Sequence, residues 1–214
     1  MKKILAILIL AGALAPLHAQ DNGALWKSTL AQLEASRKWA AGEIETVSDV
    51  DKDGVVKHEV SSMRLRGWEK GKPAYALVRQ EPPDEKKSAA DLSFLDKFNT
   101  LSEEATANTP TRTDGQSLDG VPCTVFESRA DQALQKATMK LWVDPASGAP
   151  RQMVVTVHAP LMMDATIITR YTTGAQGQPL AGVIDYAFEI LMPFRHSKAR
   201  IKQTNSGWVA RPAN

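Results

Sequence analysis

Apolar and polar residues alternate with a period of two along most of the second half of this chain, the pattern of strands with one dry and one wet face. Met139, Leu141 and Val143 share a face over 137–143, and Met153, Val155 and Val157 share one over 150–158. Over 163–172, Met163, Ala165, Ile167, Thr169 and Tyr171 alternate with Asp164, Thr166, Ile168 and Arg170. Over 183–191, Ile184, Tyr186, Phe188 and Ile190 alternate with Asp185 and Glu189. A last strand over 194–204 puts His196, Lys198, Arg200 and Lys202 on one face, as a charged edge strand would. Asp144-Pro145-Ala146-Ser147-Gly148 reads as a turn and 174–182 as a loop. Consecutive strands joined by short turns predict an antiparallel meander.

The first half is mixed. Leu25, Trp26, Leu30, Leu33 and Arg37 follow helical spacing in an Ala-rich stretch, which predicts a helix over 24–41 ending at Gly42. Strands follow from Glu43 to Val50 and from Val55 to Leu65, the latter with Val56, His58, Val60 and Ser62 on one face. A third is expected over 74–79. Residues 80–120 read as a long excursion that carries one amphipathic helix, marked by Leu92, Leu95, Phe98 and Leu101. Ser102 to Gln116 is polar and reads as loop. The expected fold is mostly β: a curved antiparallel sheet or incomplete barrel, with two helices on its concave side.

The N-terminus changes the address. Lys2 and Lys3 precede the apolar run Ile4–Leu14, Pro16 breaks it, and Ala19 supplies a small residue at a cleavage point. This is the order of a secretory signal peptide over 1–19, with too short an apolar run to span a bilayer. It leaves one domain over 20–214, exported to the periplasm and without a transmembrane segment. Removing Lys2 and Lys3 brings Lys+Arg from 26 to 24, equal to the 24 Asp+Glu. A neutral chain offers no electrostatic basis for nucleic-acid binding. The single cysteine, Cys123, rules out an internal disulfide and reads as a core residue.

Candidate chemistry is sparse. Asp49, Asp51, Asp53 and Gly54 open like a calcium loop, but Val60 stands where the twelfth-position Glu belongs, so an Asp-Gly hairpin turn accounts for them. The His residues after the signal, His58, His158 and His196, form no zinc-protease motif, and there is no nucleophile elbow. Asp185 and Glu189 read as a solvated face. No catalytic residue, metal or cofactor is expected.

Two segments resemble a known family: Leu118-Asp119-Gly120-Val121-Pro122-Cys123-Thr124-Val125-Phe126-Glu127, and Lys140-Leu141-Trp142-Val143-Asp144-Pro145-Ala146-Ser147-Gly148-Ala149-Pro150. With the order of elements, they are similar to the periplasmic lipoprotein carriers and outer-membrane lipoprotein-sorting proteins. That resemblance implies a half-barrel that carries a lipid, an acyl chain or a lipidated protein. The expected cavity lining is Leu141, Val143, Met153, Val155, Ile167, Phe188 and Ile190, with Leu92, Leu95 and Phe98 as a lid. Clustered methionines (Met139, Met153, Met162, Met163, Met192) suit an adaptable apolar surface. The alternative is an envelope interaction module that meets a protein partner through the basic stripe or a sheet edge.

Overall fold

Each alternating segment forms a strand, and the strands of the main sheet join in chain order with one exception. The computed structural model describes residues 22–83, 109–132, 135–192 and 195–212. It contains one helix, α1 (Asn22–Ser36), and strands β1 (Trp39–Ala40), β2 (Glu43–Lys52), β3 (Val55–Glu69), β4 (Lys72–Glu81) and β5 (Thr111–Leu118). Then follow β6 (Val121–Gln132), β7 (Gln135–Val143), β8 (Pro150–Ala159), β9 (Met163–Thr173), β10 (Pro179–Met192), β11 (Arg195–Ser206) and β12 (Val209–Ala210). Ten of them make one antiparallel sheet in the order β4-β3-β2-β11-β10-β9-β8-β7-β6-β5. The sheet is open: β4 and β5 are its two edges and are not paired with each other. The exception to chain order is β11, which crosses back to pair with β2 between Ser197↔Lys52 and Ser206↔Glu43.

Several boundaries depart from the periodicity. The helix stops at Ser36 instead of running to 41. Trp39 and Ala40 are drawn out to pair with Ala210 and Val209, and the Arg211 amide donates to the Lys38 carbonyl at 2.7 Å. The polar stretch expected as loop up to Gln116 ends instead in strand β5, Thr111–Leu118, an edge strand, which has only one neighbour to satisfy. Its turn is Asp119-Gly120, both at positive φ (51° and 81°), the left-handed pair of a two-residue hairpin. The loop at 174 is shorter than expected, because Leu180 enters the core (2 % exposed) and β10 begins at Pro179. The basic strand is a central strand, not an edge: β11 lies between β2 and β10. One of the two expected helices, that of Leu92, Leu95 and Phe98, lies outside the described residues.

The core sits between α1 and one face of the sheet, here the inner face. Leu25 packs with Phe126, Leu141 and Val143, and Trp26, Leu33, Met153 and Tyr171 close around them. The Trp26 and Phe126 rings stand 4.9 Å apart at 54°. A second cluster (Ala130, Ala137, Met139, Val155, Val157, Ala165, Phe188) continues along the same face. Cys123 is 1 % exposed, and burial pushes its thiol pKa up, so it packs as a small apolar residue.

Candidate functional site

Strand register puts all seven expected lining residues on the inner face. Leu141 lies opposite Met153, Val155 opposite Ile167, and Ile190 opposite Met163. Their accessibility divides them. Leu141 and Val143 are 0 % exposed, sealed under Leu25 of α1. Val155 and Phe188 are buried in the second cluster, and Met153 and Ile167 pack against it half-buried. Ile190 is half-buried and belongs to neither cluster. A ligand reaches Leu141 and Val143 only if α1 moves. The lid residues Leu92, Leu95 and Phe98 lie outside the described residues.

The structure adds members that the sequence reading left out. Tyr186, Ala199, Ile201 and Met163 are half-buried and pack on the Ala137–Phe188 cluster. Tyr186 stacks near Phe188, with ring centroids 6.0 Å apart and an interplanar angle of 17°. Burial raises its hydroxyl pKa to about 12. Ala199 and Ile201 alternate with Lys198, Arg200 and Lys202, so the same period that marked a basic stripe also marked an apolar one on the reverse face. Register aligns Ile167, Tyr186 and Ile201 in one row across β9, β10 and β11, and Ala165, Phe188 and Ala199 in the next.

Beyond β11 the inner face changes character. The row of Ile201 continues into Ser48 and Glu59. The neighbouring row runs from Gln203 through Thr46 and Ser61 to Gln80. Thr46 and Ser61 are buried at 6 % and 5 % exposure. Gln80 Nε2 donates to Glu59 Oε1 at 3.1 Å. The row Met139–Val155–Ile167–Tyr186–Ile201 is therefore apolar from β7 to β11 and becomes hydrogen-bonding at Ser48 and Glu59, whereas Ile44, Val50 and Met63 keep other inner-face positions of β2 and β3 apolar.

The outer face is a lattice of cross-strand ion pairs and histidine–carboxylate contacts, the arrangement that stabilises a wet face. Arg170 pairs with Asp185, and Glu189 meets His196 Nε2 at 2.9 Å and Lys198 Nζ at 3.1 Å. His158 meets Asp164 at 2.5 Å, and His58 meets Asp49 at 2.7 Å. The contacts from His196 and Lys198 lower the Glu189 carboxyl pKa, chiefly through the hydrogen bond from His196. Arg200 and Lys202 line a shallow groove of about 400 Å³ with Val47, Thr166 and Ile168. The basic stripe is thus interleaved with acids from β2 and β10. The Asp49–Gly54 segment is a hairpin turn: Asp53 and Gly54 hold positive φ, and the Gly54 amide donates to Asp51 Oδ1 at 2.9 Å. Among the described residues no three His, Cys, Asp or Glu side chains are placed to hold a metal ion.

The two segments that carry the family resemblance meet at α1. In the β7–β8 turn, Asp144 Oδ1 accepts from the Ala146 and Ser147 amides at 3.1 and 3.0 Å, and Arg151 Nη2 donates to Asp144 Oδ2 at 2.8 Å. The Ser147 amide first, and Arg151 next, hold the Asp144 pKa at about 2. Ser28, Thr29 and Gln32 of α1 donate to the carbonyls of Ser147 and Gly148 at 2.9–3.0 Å. This turn fixes the helix over the inner face.

Comparison with known proteins adds names but no assignment. No protein-family model and no curated protein matches the chain. Among solved structures, a DUF1329 family protein from Desulfovibrio piger is similar at 10 % identity and a TM-score of 0.44, covering 90 % of this chain and 94 % of its own. A domain provisionally named for outer membrane lipoprotein sorting, from Vibrio parahaemolyticus, is similar at 10 % identity and a TM-score of 0.41, covering 91 % and 95 %. No helix among the described residues is long and apolar enough to cross a membrane.

Proposed function

We propose that this protein is a periplasmic carrier that binds a lipid, an acyl chain or a lipidated protein non-covalently on the inner face of its open sheet. The observation that carries the reading is the half-buried apolar strip Met163, Ile167, Tyr186, Ile190, Ala199 and Ile201, which flanks the packed core under α1. Among the described residues α1 covers only part of the inner face, and partly open apolar surface is where ligands bind. Each methylene removed from water is worth about 0.8 kcal/mol, so a 14-carbon chain supplies roughly 10 kcal/mol before ordering costs.

In this reading the ligand rests on Ile167, Tyr186, Ile190 and Ile201 and borders Met153, with Phe188 and Val155 packed beneath it. Leu141 and Val143 join the lining where α1 shifts to admit a longer chain. Binding needs no catalytic group and no cofactor. The leader at 1–19 supports export, and with it an envelope cargo. The alternative, an interaction module that docks a protein through its basic stripe, has less to support it. Lys198 is engaged by Glu189, and acids of β2 and β10 stand opposite its neighbours: Asp49 faces Arg200 and Asp185 faces Lys202.

Native mass spectrometry of the protein purified from periplasm, followed by organic extraction, tests the proposal. A stoichiometric acyl-containing species is expected. A clean unliganded mass, with no uptake of added lipid or acylated peptide, would refute it.

A further inference from the structure

Resting on that reading, we infer that the ligand's polar end is a neutral, hydroxyl- or amide-bearing head group, not a free carboxylate, and that it lies on β2, β3 and β4. The inner face carries both halves of an amphiphile's site in one register. The row Ile167–Tyr186–Ile201 runs on directly into Ser48 and Glu59. An extended chain laid along it passes from apolar side chains to hydrogen-bonding ones without leaving the row. Adjacent strands stand about 4.8 Å apart, so the step from β10 to β3 covers roughly 14 Å, within the reach of an acyl ester.

The polar end is matched in chemistry as well as position. Ser48, Thr46, Ser61, Gln80 and Gln203 offer neutral donors and acceptors. The hydroxyls of Ser48, Thr46 and Ser61 lie along these rows, and none of them is a sealed polar atom left unpaired, although Thr46 and Ser61 are buried as residues. A hydroxyl that is not sealed off can exchange water for an incoming polar partner. Glu59 is the charged member of the patch, half-buried and held by Gln80. A carboxylate head placed here sets two like charges side by side in partly dehydrated surroundings, whereas a glycerol or amide head donates to Glu59. Lys57 and Lys52 share this face and are both exposed; Lys57 sits one row away opposite Val50 and Lys52 two rows away opposite Ser197 and Val55, where they stay in water.

Isothermal titration of the delipidated full chain with 1-monomyristoylglycerol and with myristate, below their aggregation concentrations at pH 8, tests this. The glycerol ester is expected to bind at least about tenfold more tightly, the scale of a like-charge contact in a binding site. Glu59→Gln should cut that preference below about threefold by strengthening myristate binding, and Gln80→Glu should widen it. Equal or tighter binding of myristate by the wild type, or an unchanged preference in Glu59→Gln, would overturn the head-group assignment while leaving the carrier reading intact. Failure of both ligands to bind would overturn both.

Discussion

Thr29 of α1 donates its hydroxyl to the carbonyl of Gly148 at 2.9 Å, and Gly148 holds a φ of 72° directly beneath the helix. A Cβ at that glycine would stand 2.9 Å from Thr29 Oγ1 and 3.1 Å from the Leu25 carbonyl. Gly148→Ala is therefore expected to destabilise the protein by about 1–3 kcal/mol, from left-handed strain and loss of the close approach. Thr29→Val should cost about 1–2 kcal/mol by leaving a buried acceptor unpaired. Urea titration followed by far-ultraviolet circular dichroism reads both.

The same turn sets an acid limit on stability. Asp144 is held at a pKa of about 2, below its value of about 4 in the unfolded chain. A carboxyl with a depressed folded pKa contributes stability that is present above the unfolded value and lost as pH falls through the folded one. Asp144→Asn should lower stability at pH 7 by about 2 kcal/mol and flatten the loss that the wild type shows between pH 4 and pH 2. Denaturation midpoints measured over pH 2–7 check the sign: a variant equally stable at pH 7 contradicts it.

Stability and binding should separate across the inner face. Leu141→Ala and Met139→Ala remove side chains that are 0 % exposed and should cost about 2–5 kcal/mol. Ile190→Ala and Ile201→Ala act on half-buried positions, so their stability cost should be smaller. Their effect on acyl affinity should be larger, about three- to tenfold each. Paired thermal-melt and titration data distinguish the two sets.

The outer-face cations should be dispensable for ligand binding. Arg200→Glu and Lys202→Glu put acids opposite Asp49 and Asp185, and like charges in register cost about 0.2–1 kcal/mol each. Acyl-ligand affinity should stay within about twofold, because the two faces of a strand are separate surfaces. A large loss of ligand binding in this double variant would favour the basic stripe as the functional surface.

Much of the fold was legible because it depends on period two. The inward residues Met139, Leu141, Val143, Val155 and Phe188 were all set apart by alternation alone. Strand β5 was missed because its polar residues carry no alternation, although Asp119-Gly120 announced its turn. The central place of β11 was invisible for a different reason. The row His196, Lys198, Arg200 and Lys202 looks like a guarded edge until register sets Glu189, Asp185, Asp49 and Asp51 beside it, and register is a long-range property. The candidate site was legible as a face but not as a site. Which residues stay open depends on where α1 docks, and hydrogen bonds from Ser28, Thr29 and Gln32 to the distant Ser147–Gly148 turn decide that.

The most direct test of the inner-face claim is photo-crosslinking with a diazirine-bearing acyl probe, followed by peptide mapping. Labels on Tyr186–Ile190 and on Ala199 or Ile201, competed by unlabelled lipid, are the predicted result. Labels confined to outer-face residues such as Arg200, Lys202 or Ile168, or no competable label at all, would contradict the account.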